Sequence, residues 1–319
     1  MSAPLTLVFV MDPIESIDIA GDTTFVLMLE AQQRGHRVLV AYPQDLAVEG
    51  GRVVSRVTPV AWQRVEGDFA KPGEPFQLPL DEADLIFQRK DPPVDAEYVT
   101  ATQILGLVTG ALVLNRPAGI LAANEKLYAL GFADLMVPTE VTRSIPRLRE
   151  FLAELGGPMI VKPLDGRGGE GIFHVSAEDR NLNSILEQAT DFGTRRTMAQ
   201  RYIPEVRSGD KRILLADGEP LGCVLRVPAE HEHRANFHVG GSAAKADLSE
   251  RDQEIVSRLA PSLRRDGLFF VGIDVIGDYL TEVNVTSPTG VQEVNALTGR
   301  RLEAEILDAA ERKLAEFRA

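Results

Sequence analysis

The segment FFVGIDVIGDYLTEVNV, residues 269–285, constrains the chain more than any other. Two runs rich in β-branched residues flank a Gly-Asp turn signal, so the segment reads as an antiparallel hairpin. Asp274, Glu282 and Asn284 nevertheless sit among the valines, and carboxylates buried without partners are costly. Register decides where they go, because opposed residues of an antiparallel pair share a face. A two-residue turn at Gly277-Asp278 would set Asp274 opposite Thr281 and mix acid with valine. A three-residue loop, Gly277-Asp278-Tyr279, sets Asp274 opposite Glu282 and Gly272 opposite Asn284, with every valine on the core face. The three-residue loop is the expected register. Two carboxylates and an amide carbonyl on one polar face suit Mg²⁺, a hard ion commonly shared with nucleotide phosphates. The plainer alternative is a solvated acidic face. A metallohydrolase fits less well, since no His belongs to the set.

Upstream, LTLVFVM (5–11) reads as a buried strand stopped at Asp12-Pro13. Asp22 or Thr23 caps a helix to about Arg34, Gly35 ends it, and HRVLVAY is the next strand. This β–α–β unit opens an α/β domain, but its first turn lacks G-x-G-x-x-G, which disfavours a dinucleotide site. Residues 45–82 suggest a hairpin and an excursion loop; ADLIFQ and ALVLN are further strands. Near Ala123 a second unit begins, with helices capped by Asn124 and Ser144 and strands MVPTEVT, PMIVKP and IFHV. A third unit takes in TMAQRYI, a hairpin turned at Asp217-Gly218, a polar loop over 229–247, a helix from Ser249, the acidic hairpin and a final helix.

Two other constellations carry chemistry. In DGRGGEG (165–171), four glycines in seven residues exclude a stable helix or strand. They let backbone N–H groups approach phosphate oxygens, although a bland tight hairpin has the same composition. Lys162, on the strand entering this loop, can set an ammonium on the same phosphate, and Lys126 is a second candidate. The spacing is not that of a Walker loop. Lys211-Arg212 on one hairpin strand, Arg226 on its partner and Arg234 beyond bring cations together in an acidic protein, which implies an anionic substrate or developing phosphoryl charge. His231, His233 and His238 lie in a polar loop without Cys and make a poor zinc site.

Lys and Arg total 34 against 47 Asp and Glu, a net charge of −13, which argues against a nucleic-acid binder. Cys223 is the single cysteine, so no internal disulfide forms; with no paired His it reads as a small core residue. No segment approaches a membrane span and no targeting segment is evident, so a cytoplasmic protein without membrane contact is expected. These features describe MgATP chemistry without a P-loop, directed at an anionic acceptor.

The motifs VMDPIESIDIAGDTTF, RKDPP, NEKL, KPLDGRGGEGIF, MAQRYIPEVRSGDKR, DGEP and VGIDVIGDYLTEVNVTSPTG resemble, in the same order from about residue 7 to 295, the prokaryotic glutathione synthetases of the ATP-grasp superfamily. The resemblance implies an α/β and α+β architecture: an N-terminal α/β substrate-binding domain over 1–122, a small ATP-grasp lobe over 123–203 and a large lobe over 204–319. It implies that Lys126 and Lys162 contact ATP phosphates under a lid that includes Gly166, Gly168, Gly169 and Gly171. Gln200, Tyr202 and Ile203 would line the adenine pocket, with Asp210 near the nucleotide. Asp274, Glu282 and Asn284 would hold Mg²⁺, or Mn²⁺ in its place. Arg212, Arg226, Ser287 and Thr289 would bind the dipeptide or its phosphorylated carboxylate, with Arg234 and Asn236 closing over it. Asp12 and Arg89 of the RKDPP turn would complete the substrate cleft. Where the family loop is commonly glycine-rich this chain reads PAEHEHRANFHVGG, keeping Arg234 and Gly240-Gly241; residues 229–243 are expected to act as a lid. The implied reaction joins γ-L-glutamyl-L-cysteine to glycine, with ATP converted to ADP and phosphate through an acyl phosphate, and Lys162, Arg212 and Arg226 neutralising charge. A homotetramer is implied too. Two rivals stay open: another carboxylate–amine ligase of this fold, such as a D-alanine–D-alanine ligase, and a non-catalytic ATP-binding scaffold.

Overall fold

The computed structural model describes residues 3–166, 169–228 and 241–319, built on three sheets. The first contains β1 (Thr6–Val10), buried from Leu7 onward, and is followed by α1 (Thr23–Gln33), where the Asp22 side chain accepts the Phe25 N–H as N-cap. Next come β2 (Arg37–Glu49) and β3 (Arg52–Trp62), a hairpin turned at Gly50-Gly51 with both glycines at positive φ. β4 (Ala70–Pro72), β5 (Phe76–Pro79), β6 (Leu85–Gln88), α2 (Ala96–Leu105), β7 (Leu112–Leu114) and α3 (Pro117–Ala122) complete the unit. The order is β4-β3-β2-β1-β6-β7, with β5 also paired to β3. β1 is parallel to both β2 and β6, and β6 is parallel to β7. The chain leaves β1 on one side to β2 and later returns on the other side to β6. Asp12 and Arg89 therefore lie side by side at the carboxyl ends of β1 and β6, where open α/β sheets leave a crevice.

The second sheet follows α4 (Glu125–Ala129), capped by Asn124. It holds β8 (Thr139–Thr142), β9 (Met159–Pro163), β10 (Phe173–Val175) and β11 (Thr197–Arg201) in the order β10-β9-β11-β8, antiparallel throughout. Helices α5 (Ile145–Leu155), capped by Ser144 and ended by left-handed Gly156, and α6 (Leu182–Ala189) cover it. The sequence reading set TMAQRY both at the head of the third unit and within the 123–203 lobe; as β11 it lies between β9 and β8. Residues 123–136, assigned by sequence to the small lobe, bury Ala123, Ala129, Leu135 and Met136 among Ile213, Ile273 and Val283; α4 packs on the third sheet.

That sheet comprises β12 (Asp210–Ala216), β13 (Glu219–Val227), β14 (Ser242–Lys245), β15 (Phe270–Ile276) and β16 (Tyr279–Asn284) in the order β14-β13-β12-β15-β16. Asp217 and Gly218 turn β12 into β13 at φ of 49° and 77°, as a primed two-residue turn requires. Helix α7 (Glu250–Asp266) begins with a Ser249/Asp252 capping box, and α8 (Val291–Thr298) and α9 (Leu302–Arg318) follow β16. α9 returns to pack along α1. Its Ile306, Leu307 and Leu314 share one core with Phe9, Phe25 and Leu27. Arg34 of α1 clamps it, donating to Glu311 and to the Ala304 carbonyl, both at 2.8 Å. Among the described residues no helix is long and apolar enough to cross a membrane.

The expected three-residue loop in the acidic hairpin is not what forms. Ile276 pairs with Tyr279 across a two-residue Gly277-Asp278 turn, with Gly277 at φ 58°. Val275 then pairs with Leu280, but Asp274 pairs with Glu282 and Gly272 with Asn284. Thr281 is an extra residue, a β-bulge, and it restores the predicted pairing that the short turn alone would have lost.

Candidate active site

Alternation along β12 sends Asp210 and Arg212 to the polar face and Lys211 to the other, where its ammonium pairs with Asp252 at 2.5 Å. Lys211 therefore does not join the cation cluster. Arg212 stands directly opposite Asp274, with Nε 2.5 Å from Oδ1 and Nη2 2.9 Å from Oδ2. Arg226 stands opposite Asp210, and its Nη2 lies 2.5 Å from Asp210 Oδ2 and 3.0 Å from Asp274 Oδ2. Gly272 makes room for this: a Cβ there would meet Arg212 Cδ at 3.0 Å. Burial alone would raise the Asp274 carboxyl, but Arg212 and Arg226 hold it well below the usual carboxylate range. Asp210 is pushed up to about 6 by burial, against the pull of Arg226. Among the described residues, Asp210 Oδ1 and Arg226 Nε are buried without a hydrogen-bond partner, an incomplete shell of the kind a polar ligand completes.

The second half of the site surrounds Glu282. Lys126 Nζ lies 2.9 Å from Glu282 Oε1 and donates to the Gly166 carbonyl at 2.8 Å. Lys162, buried, points Nζ at the Thr281 carbonyl, 3.5 Å away. The bulge thus presents a carbonyl to an ammonium that burial pushes below its usual range. Asn284 Nδ2 reaches Asp274 Oδ2 at 3.2 Å and the Gly272 carbonyl at 3.1 Å. Among the described residues no three His, Cys, Asp or Glu side chains gather as a metal cluster. The side chains expected to hold an ion do share this face, with both Asp274 oxygens taken up by Arg212 and Arg226. With Asn284 donating through Nδ2, its oxygen joins the second Glu282 oxygen as a hard donor on the same face, and this fits Mg²⁺.

Two residues that shape the site were given no role by the sequence, although Glu125 lies within NEKL. Glu125 Oε1 accepts the Val285 N–H at 2.9 Å, the Thr286 N–H at 3.1 Å and the Thr286 hydroxyl at 3.0 Å; burial and nearby Glu282 push this carboxyl up. Asn115, at the end of β7, donates to the carbonyls of Phe270 and Val285 at 2.9 and 2.7 Å and accepts the Phe270 N–H at 2.7 Å. It fastens the first sheet to the acidic hairpin.

On the N-terminal side, Asp12 locks the RKDPP turn, with Oδ1 2.8 Å from Lys90 Nζ and Oδ2 accepting the Asp91 N–H at 2.8 Å. Arg89 Nη2 donates to the Pro288 carbonyl at 3.1 Å, and Ser287 Oγ donates to the Arg89 carbonyl at 3.3 Å. The Thr289 carbonyl accepts from Arg212 Nη1 at 3.3 Å. Residues 287–289 therefore run between the two arginines. Gln200 donates to Thr139 Oγ1 at 3.0 Å, Ile203 is buried, and the Tyr202 ring meets His174 edge-on at 4.6 Å. The Tyr202 hydroxyl has no hydrogen-bond partner among the described residues. Gly169 and Gly171 hold φ of 82° and 68°, and a Cβ on Gly166 would meet Pro163 Cγ at 2.6 Å. Gly168, Arg234, Asn236 and the three loop histidines lie outside the described residues, as does most of the expected 229–243 lid. Cys223 is a core residue: its Sγ donates to the Ala246 carbonyl at 3.3 Å, and burial pushes the thiol up to about 11.

Two family models match the chain: "Prokaryotic glutathione synthetase, N-terminal domain" over residues 5–120, and the ATP-grasp domain of the same synthetases over residues 125–299. A glutathione synthetase of Mesorhizobium japonicum is 46% identical over 304 residues, covering 95% of this chain and 97% of the relative. One from Ralstonia nicotianae is 47% identical, covering 97% and 96%. Among solved structures, the D-cycloserine synthetase DcsG superposes with a TM-score of 0.68 at 14% identity, covering 97% of this chain and 99% of that one. D-alanyl-alanine synthetase A of Vibrio cholerae gives 0.60 at 13% identity, covering 99% and 100%. At such identities these two likenesses concern the fold.

Proposed function

The chain belongs to the prokaryotic glutathione synthetase family, and from that premise we propose how its residues divide the work. The reaction is the ATP-dependent joining of γ-L-glutamyl-L-cysteine to glycine, releasing ADP and phosphate. Lys126 and Lys162 hold the ATP phosphates under the loop of Gly166, Gly168, Gly169 and Gly171. Gln200, Tyr202 and Ile203 receive the adenine, and Asp210 orients Arg226 beside the nucleotide. Asp274, Glu282 and Asn284 would hold Mg²⁺, with Mn²⁺ an acceptable substitute; when bound, the ion supplies positive charge against the phosphate oxygens.

The dipeptide's cysteinyl carboxylate attacks the γ-phosphate in line, and ADP leaves. Arg212, Arg226 and Lys162 neutralise the charge that develops on the transferred group. The neutral amine of glycine then attacks the acyl carbon, an amide forms and phosphate leaves. Ser287 and Thr289 position the dipeptide, Asp12 fixes the turn that carries Arg89, and Arg234 with Asn236 closes the site against water. No protein nucleophile takes part. The observation that carries this reading is the lattice in which Arg212 and Arg226 grip Asp274 while Lys126 grips Glu282 on the adjacent strand. That cations and carboxylates share one surface supports assigning them to phosphate and metal. A homotetramer working in the cytoplasm, with no nucleic-acid or membrane partner, belongs to the same proposal.

The test is ADP release with γ-glutamylcysteine plus glycine, against D-alanine, and against ATP alone. Turnover with the first pair only, with one tripeptide per ADP, is expected. Turnover with D-alanine would favour the rival ligase, and ATP binding without turnover the scaffold.

A further inference from the structure

Arg89 stands apart from the other cations of the cleft. The residue is 5% exposed, yet its hydrogen bonds go to neutral oxygens: Nε to Thr24 Oγ1 at 3.0 Å and Nη2 to the Pro288 carbonyl at 3.1 Å. Nη1 has no hydrogen-bond partner among the described residues. The Phe270 ring, 5.5 Å from the guanidinium carbon, adds a cation–π contact but no counter-charge. Asp22 and Asp91 act on it only at longer range. A buried guanidinium keeps its charge, and buried charges are ordinarily paired. Arg212 and Arg226, by contrast, each hold a carboxylate directly. The open Nη1/Nη2 end of Arg89 matches the two oxygens of a carboxylate.

The surroundings indicate whose carboxylate this is. Arg89 and Arg212 grip consecutive carbonyls, those of Pro288 and Thr289, so Arg89 lies one step along the loop from the reacting centre. Asp22, at the head of α1, and Asp91 stand near it without a direct contact. A carboxylate receptor beside acids suits a zwitterionic amino-acid head group. Glycine must present a neutral amine when it attacks, whereas the γ-glutamyl end of the dipeptide stays zwitterionic throughout. We propose that Arg89 binds the α-carboxylate of the γ-glutamyl group and so selects acceptors bearing an amino-acid head group at that end. The assignment rests on the glutathione synthetase reading above.

The test compares kcat/KM for three acceptors: γ-glutamylcysteine, 4-aminobutyryl-cysteine, which lacks only that carboxylate, and glutaryl-cysteine, which lacks only the amino group. Wild type should prefer the natural dipeptide over 4-aminobutyryl-cysteine by about 1,000-fold or more, as sites built around a hydrogen-bonded charge do. Arg89→Met should shrink that ratio to about tenfold or less, leaving the glutaryl ratio and the KM for glycine and ATP within about threefold; Arg89→Lys should fall between, having lost the fork. Wild-type indifference to the missing carboxylate, or an undiminished preference in the variants, would overturn the assignment. A rise confined to the glycine KM would do so as well, placing Arg89 on the incoming amine. If Arg89→Met does not fold, the wild-type ratio and Arg89→Lys decide. No ADP release with any acceptor would instead overturn the reading of the enzyme itself, a separate failure.

Discussion

Asp274 faces Glu282 across β15 and β16 because the strand carrying Glu282 holds one residue more than its partner. Thr281, the extra residue, donates its hydroxyl to the Asp274 carbonyl at 3.0 Å and offers its own carbonyl to Lys162. Deleting a residue inside a strand ordinarily flips every side chain beyond it. Deleting Thr281 should not: with a two-residue turn and no bulge, Asp274 still meets Glu282. The deletion variant should fold and bind MgATP, with turnover down about tenfold for the lost Lys162 contact. Deleting Val283 should instead drive Asn284 onto the core face and unfold the lobe. Circular dichroism and turnover on both variants check this, and an unfolded Thr281 deletion would contradict it.

Replacing Glu282 with Gln keeps the shape and removes the charge that Lys126 pairs with. Turnover should fall about 100-fold or more while the fold survives, and half-maximal activity should need more Mg²⁺. Wild-type turnover across a metal titration would remove Glu282 from the metal set.

Arg226 binds Asp210 and Asp274 through one nitrogen. In Arg226→Lys the charge remains but the fork is lost, and a single ammonium cannot reproduce both contacts together with the guanidinium plane. Turnover should drop about 100-fold while ATP affinity, measured by calorimetry, changes by less than about fivefold. Equal losses in both would place this residue on the nucleotide.

Asp81 supplies a pH test away from the site. Its Oδ1 accepts the N–H groups of Thr109 and Gly110 at 2.8 and 2.7 Å, which hold the carboxyl below its usual range. A depressed carboxyl stabilises the fold above its unfolded pKa of about 3.9, and this is lost as pH falls through the lower folded value. Asp81→Asn should therefore cost about 1 kcal/mol at pH 7, and the gap should close progressively below about pH 4. Denaturant melts at several pH values measure this; a gap that persists unchanged into acid would mean the charge contributes nothing.

Much of this was legible in the sequence, for local reasons. Asp22, Asn124 and Ser144 cap the helices expected of them, because an N-cap depends on neighbours two or three residues away. The acid pairing was legible because valine periodicity admits one register, although the loop predicted to deliver it was the wrong one. A bulge and a longer turn each add one residue, so the pattern beyond them is identical. Lys211 adjoins Arg212 in sequence, but the strand period turns it to the other face, toward Asp252. Glu125 lies in NEKL, but its role was not legible, since a carboxylate on a short helix reads as solvated and its partners lie about 160 residues on. The seating of β11 between β9 and β8 likewise depends on strand partners that no local pattern specifies.

The return of α9 to α1 has a consequence for how the protein is made. The stripe of α1 that carries Phe25 and Leu27 is completed by Ile306, Leu307 and Leu314, so nearly the whole chain must leave the ribosome before the first domain can close its core. Synthesis from the N-terminus yields a nascent chain with exposed apolar surface for most of its translation. Chains stalled before residue 302 should stay bound to chaperones and sensitive to protease, and release of the last helix should protect residues from the first.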